Sequence, residues 1–312
     1  MTPIQRYFSQ ILKAHAAHDF ETGARIARAA HEECPEEHGK TWFWQACMHS
    51  LLGNGEAALS ALKDGLDEGQ WWSPRKLDDD GDLEPVRGSA GFAAVREECE
   101  LRFLEAQARA RPHCMVLAPS TATWEPRTLL VIHRRGDTAP GFAAYWRQLV
   151  DQGWTLIVPQ SSQVYDSAGF CWDDAEQARG ELRAHLDDCR RKRGVQMEGM
   201  MIAGASQGGR LALELAHEAG VPWLSVIPFF PEGYDVSPLI AVPAHTRGAF
   251  LLGEHDPASV NARRVFAALE SGGVRAVART MKDVGHDFPD DFAAQAAEAL
   301  RGLMEDSTSY AV

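Results

Sequence analysis

Three short stretches of this 312-residue sequence carry side chains whose chemistry is complementary. Gly204-Ala205-Ser206-Gln207-Gly208 follows the apolar run "GMMIA" and opens a stretch of helical composition that ends at Gly220 and Pro222. A serine there, with small residues at 203, 204, 205, 208 and 209, suits a sharp strand-to-helix turn that lifts a hydroxyl into the open. A hydroxyl attacks a carbonyl only when a base takes its proton, and a neutral imidazole does this near pH 7. Among twelve histidines, His286 in "KDVGHDFPDDF" lies after the last strand candidate and before a C-terminal helix. His255 is the alternative base, though its place after an earlier strand suits a loop neighbour better.

An imidazole that gains a proton needs a carboxylate to orient it and balance its charge. Asp256 in "LLGEHDPAS" follows the strand candidate "GAFLLG" and gives the chain order serine, acid, histidine. Asp235 is the alternative acid. Asp287 is too close in sequence to His286 to hold the ring from its far side. The oxyanion formed on attack needs preorganised N–H donors. The Gln207 N–H is one, at the start of the helix, and the Arg135 N–H, in the loop of "LLVIHRRGDTAPGF", is the other expected donor. Arg134 is expected either to meet a substrate carboxylate or phosphate or to pair with Asp137. Trp172, Phe229 and Phe230, with Tyr165, are read as walls of a substrate pocket.

The elements that must position these residues are visible as a change of pattern. From about Cys114, short apolar runs ("CMVLA", "TLLVIH", "WTLIVP", "GMMIAG", "WLSVIP", "GAFLLG", "VRAVART") alternate with helical stretches. That alternation indicates crossover units and a mainly parallel sheet covered on both faces, with ligands gathering at the carboxyl ends of its strands. Residues 1–110 read instead as an all-α helical-repeat domain, leaving 111–312 as the α/β domain. Its helical spacing runs through Tyr7, Ile11 and Ala14, then Ile26, Ala27 and Ala30, with Pro35 closing the pair. "SSQVYDSAGFCWDD" could be a lid or an ordinary loop.

Composition excludes several classes. The net charge of −13 repels nucleic acid, and the run Arg190, Arg191, Lys192, Arg193 reads as a solvated helix end. No apolar stretch approaches a membrane span, and the six cysteines are scattered without paired spacing, so a cytoplasmic protein with reduced thiols is expected. His31, Cys34 and His38 tempt a metal reading, but Pro35 interrupts a shared helix face and a fourth ligand is missing. Neither a metal nor a cofactor is expected, and the acidic tail after Glu305 should fray.

With "HRRGDTAPGF", "GFCWDD", "GASQGG", "GEHDP" and "GHDFP" in hand, the second domain resembles the α/β-hydrolase superfamily. Within it the chain is similar to the phospholipase/carboxylesterase group that includes acyl-protein thioesterases. The resemblance implies a mainly parallel sheet of the α/β-hydrolase type and a cofactor-independent serine hydrolase acting on a small-molecule ester or thioester. It departs at Arg134, where the group has glycine, which bears on the backbone of the oxyanion loop. The stretch from Thr41 to Gly69 resembles a tetratricopeptide repeat, with Gly53 and Ala58 at its turn and small-residue positions. That implies a protein partner or a cap over the active-site mouth. Short-peptide hydrolysis, or an interaction module with a vestigial hydrolase domain, stand as alternatives.

Overall fold

The computed structural model describes residues 3–120, 127–241 and 246–305; the tail expected to fray lies outside them. The chain divides into two compact units, Met1–Ala110 with Val164–Gly169, and Arg111–Gln163 with Phe170–Val312. The return of residues 164–169 to the first unit has no signature in the sequence.

The first unit is built from the helices Pro3–Ala16, Phe20–Glu33, His38–Leu51, Gly55–Asp67 and Ala90–Arg109, joined by short helical turns. Side chains that accept the free N–H groups of the first turn start three of them: Asp19 from Thr22, Asn54 from Ala57, Ser89 from Phe92. Each of the first four packs on the next in the chain, burying Tyr7, Ile11 and Ala14, then Ala27 and Ala30, then Ala46, Ala58 and Leu62. Small residues at these crossings let the helices approach. The returning segment is tied in by Val164 N–H to Gln107 Oε1 (3.0 Å), Ser167 N–H to the Trp71 carbonyl (3.1 Å) and the Lys76–Asp166 pair at 3.6 Å.

The second unit holds, among the described residues, a seven-stranded sheet. Its strands are β1 (His113–Leu117), β2 (Arg127–Ile132), β3 (Trp154–Gln160), β6 (Met201–Ala205), β7 (Trp223–Val226), β8 (Arg247–Gly253) and β9 (Arg275–Met281). They are the seven apolar runs anticipated from the sequence. The short strands β4 (Gln163–Asp166) and β5 (Gly169–Cys171) form a separate two-stranded ribbon inside "SSQVYDSAGFCWDD". The sheet order is β1-β3-β2-β6-β7-β8-β9, with β1 antiparallel to β3 and every other pair parallel. This is the α/β-hydrolase type of sheet.

Strand periodicity sorts the core into two layers. Leu129, Val131, Met201, Ala203, Leu224, Val226, Ala249 and Leu251 face the helices Ala139–Trp146 and Phe292–Glu305. Leu130, Ile132, Ile202, Trp223, Phe250 and Leu252 face Ala175–Arg193, Gln207–Ala219 and Ser259–Ser271. Because both faces are covered, the central strands β2, β3, β6, β7 and β8 are buried almost throughout, while the edge strands β1 and β9 are mostly half-buried or exposed. The loops at their carboxyl ends are what remains to carry chemistry.

Candidate functional site

Four of those loops converge. Between β6 and the helix Gln207–Ala219, Ser206 takes φ 52° and ψ −118°. A non-glycine residue there costs about 1–3 kcal/mol. Backbone hydrogen bonds hold it: Ser206 N–H donates to the Val226 carbonyl (3.1 Å), and the Ser206 carbonyl accepts from Gly209 (3.0 Å), Arg210 (3.2 Å) and Phe229 (3.1 Å). The flanking glycines are required by space. A Cβ on Gly204 would stand 2.2 Å from the Gly208 carbonyl oxygen, and one on Gly208 would stand 2.2 Å from the Ile132 oxygen and 2.5 Å from the His133 oxygen. Gly208 thus lets the elbow sit directly against the loop that follows β2.

His286, in the loop between β9 and the last helix, places Nε2 2.8 Å from Ser206 Oγ and Nδ1 2.8 Å from Asp256 Oδ2. Asp256 follows β8, its side chain 1% exposed, and its other oxygen accepts the Ala258 N–H at 2.9 Å. With one oxygen fixed to backbone, the other is aimed at the imidazole. The acid and histidine loops touch at Gly253, where a Cβ would lie 2.4 Å from the Gly285 carbonyl oxygen. The alternatives lie elsewhere. His255 is largely exposed, 3.8 Å from Asp283; the Asp235 carboxylate accepts the Ser237 N–H, which lowers its pKa.

The fourth loop, after β2, is braced from several sides. His133 is fully buried; burial lowers its pKa to about 4 against a weaker opposing effect of the Arg134 carbonyl. Its Nδ1 lies 2.8 Å from the Arg134 carbonyl, while Nε2 accepts the Ser161 N–H at 3.3 Å with the Gln160 amide at the same distance. The Gly136 N–H donates to the Phe170 carbonyl (2.8 Å) and the Phe170 N–H to the Asp137 carbonyl (3.1 Å), pinning the loop to β5. Gln207 opens its helix, so its N–H has no carbonyl a turn earlier to bond. Arg135 lies on this loop, its guanidinium paired with Asp173.

Of the two expectations for Arg134 the structure shows the pairing with Asp137, and it corrects Trp172 and Phe230 as substrate contacts. Arg134 bonds inward, to Asp137 at 2.8 Å and Asp287 at 2.9 Å, over the rings of Phe288 and Tyr145. Its side chain is 16% exposed; burial opposes its charge, but the two carboxylates outweigh that and raise its pKa. Trp172 is fully buried, its Nε1 donating to the His133 carbonyl at 2.9 Å and its ring against that of His133, so it braces the loop. Phe230 is buried against Tyr234 and Phe250 in the core. Phe229 is the aromatic that remains at the surface, 47% exposed, with its N–H on the Ser206 carbonyl. Tyr165 belongs to the first unit, 5.4 Å from Lys76.

Three groups of potential metal ligands occur among the described residues: His31, His38 and Glu68; Cys47, Asp80 and Asp82; Glu254, His255 and Asp283. In the first, the imidazoles stack with centroids 3.8 Å apart and planes 23° from parallel. Ring nitrogens donate to a metal in the ring plane, so rings stacked this way do not aim at one ion. None of the groups includes Ser206, Asp256 or His286.

The sheet order and the helices on both of its faces are a fold of the α/β-hydrolase type. Residues 5–107 match the family described as A/B hydrolase-like, N-terminal domain. Across 98% of this chain and 100% of that one, the fold is similar to an uncharacterised protein of Bacillus cereus ATCC 10987, at 22% identity and TM-score 0.54. Esterase PE8 (17% identity, TM-score 0.54) covers 62% of this chain and 99% of its own. The Bacillus cereus carboxylesterase (15% identity, TM-score 0.50) covers 64% and 98%. At these identities the likeness establishes the fold. No curated protein is similar enough to this sequence to count as a relative. No helix among the described residues is long and apolar enough to cross a membrane.

Proposed function

We propose that the protein is a serine hydrolase that cleaves a carboxylic ester or thioester through an acyl-enzyme, as in the phospholipase/carboxylesterase group. The observation that carries this reading is the continuous hydrogen-bonded chain from a strained Ser206 through His286 to a buried Asp256. Ser206 Oγ bonds to the substrate carbonyl carbon as His286 Nε2 takes its proton, and Asp256 stabilises the imidazolium through Nδ1. The oxygen, now anionic, accepts from the Gln207 and Arg135 N–H groups. Collapse breaks the bond to the alcohol or thiol, which leaves with the proton from His286. Water, deprotonated by the same imidazole, then releases the acid and restores Ser206. Phe229, exposed beside the elbow, is the side chain we assign to the substrate.

The helices before residue 110 we read as a tetratricopeptide-like array that selects substrates or binds a protein partner. Initial-rate hydrolysis of nitrophenyl esters from acetate to octanoate tests the core of the reading. Turnover that vanishes in Ser206→Ala supports it, and the chain-length optimum sizes the acyl site. Turnover that persists in Ser206→Ala refutes it.

A further inference from the structure

Asp173 lies between β5 and the helix Ala175–Arg193. Its Oδ1 accepts the Gln207 side-chain amide N–H at 2.6 Å, and the Arg135 guanidinium pairs with the same oxygen. Gln207 is held a second time, its Oε1 accepting the Trp172 N–H at 3.1 Å. Arg135 sits on the loop after β2, whereas Gln207 opens the helix after β6. The two residues whose main-chain N–H groups are assigned to the oxyanion therefore send their side chains to one carboxylate. The buried Cys171 thiol next to it is pushed up to about 12, by burial first and then by the Asp173 charge.

We infer that Asp173 is a positioning residue that sets the distance between the two oxyanion donors by clamping the side chains of Gln207 and Arg135 to a single oxygen. The inference rests on the serine-hydrolase reading above. Two donors act together on one oxygen only if both stand about 2.7–3.1 Å from it, and they arise on separate elements of the chain. A carboxylate bonded to an amide and a guanidinium is a stronger and more directional tie than a neutral acceptor. With a neutral acceptor the Arg135 side would slacken first, because the attraction between that guanidinium and the charge of Asp173 would be gone.

The test uses the full chain and four variants: Asp173→Ala, Asp173→Asn, Ser206→Ala and Asp174→Ala. Asp174 caps the next helix by accepting from the Glu176 and Gln177 N–H groups, so its variant reports a structural loss one residue away. Three quantities are read: the kcat and KM split on the best nitrophenyl ester, inhibition by an aryl trifluoromethyl ketone, and the rate of Ser206 phosphonylation by a fluorophosphonate. The ketone forms a tetrahedral adduct whose oxyanion needs both donors. Asp173→Ala is expected to lower kcat about 10- to 100-fold with KM nearly unchanged. Ketone inhibition should weaken by the same factor. Asp173→Asn keeps one acceptor oxygen and should fall between wild type and Asp173→Ala, which also keeps the test usable if the alanine variant misfolds.

Asp174→Ala should lower the melting temperature while leaving kcat and ketone inhibition near wild type. Ester turnover and phosphonylation at wild-type rates in both Asp173 variants overturn the positioning role and leave the hydrolase reading intact. Equal losses in the Asp173 and Asp174 variants, tracking melting temperature, also overturn it. A wild-type chain in which neither reagent finds Ser206 overturns the hydrolase reading and the positioning role with it.

Discussion

Gly208→Ala isolates the closest approach in the site. The added methyl would lie 2.2 Å from the Ile132 oxygen and 2.5 Å from the His133 oxygen, where real Cβ contacts essentially never fall below 3.0 Å. Both obstacles are backbone, so no side chain can rotate away. The loop after β2 or the start of the helix Gln207–Ala219 must withdraw by about 0.8 Å, which is of the order of the 1 Å misplacement that costs roughly 100-fold in rate. Withdrawal of the loop carries Arg135 away from Gln207 while leaving Ser206, His286 and Asp256 connected. We therefore expect kcat to fall about 100- to 1000-fold, the cost of an oxyanion donor, or roughly 2.7–4 kcal/mol of transition-state stabilisation. The assay is steady-state ester hydrolysis with circular dichroism and melting to confirm the fold. A folded Gly208→Ala chain within about threefold of wild-type kcat would refute the claim that this approach sets the donors.

Asp256→Asn should reduce kcat by about 10³- to 10⁴-fold, since the imidazolium loses its counter-charge, while Asp235→Asn should stay within about threefold; the reverse pattern in the same ester assay would move the acid to Asp235. Arg134→Ala leaves the Asp137 and Asp287 carboxylates without their shared cation, and because all three side chains are half-buried, urea unfolding at pH 7.5 should show a loss of about 1–3 kcal/mol, between the values for exposed and buried pairs; no measurable loss contradicts the role given to this pair. His133 supplies a pH dependence. Its folded pKa of about 4 lies below the unfolded 6.5, so between those values the unfolded chain binds a proton that the folded chain refuses. The His133 contribution is fully present above about pH 6.5 and falls as the pH drops towards 4. Between pH 7.5 and pH 5 it should remove about 2 kcal/mol from the wild type, and His133→Gln should lack that loss; equal losses in urea melts of the two chains would show that His133 is not the group responsible.

Much of this was legible in the sequence for physical reasons. The central sheet strands are buried on both faces, so they read as continuous apolar runs without needing their partners, whereas edge strand β9 reads as an alternation with arginines on its open face. The elbow announced itself because few residue types fit the space around Ser206. The meeting of Asp256 and His286 followed from chain order and loop position. What stayed hidden was set by distant pairings. Asp173 meets Gln207 across 34 positions, and Arg134 meets Asp287 across 153. No local pattern encodes either. The charges stand in "CWDD" and "HRRGD", where Arg134 could be matched with its near neighbour Asp137 but not with Asp287, nor Asp173 with Gln207. Trp172 and Phe230 were misread because an aromatic in a loop does not reveal whether it faces solvent or core. The helical hairpins were visible, yet the return of residues 164–169 to them was not, because six residues carry no periodicity.

That return bears on the order in which the protein can be completed on the ribosome. The helical unit ends its first run at Ala110, but Gln107 and the Trp71 carbonyl receive their hydrogen bonds from Val164 and Ser167. Translation proceeds from the N-terminus, and domains generally fold as they emerge. Here the segment that completes the first unit is made only after β1, β2 and β3 of the second. The nascent chain thus has neither unit finished while it holds parts of both.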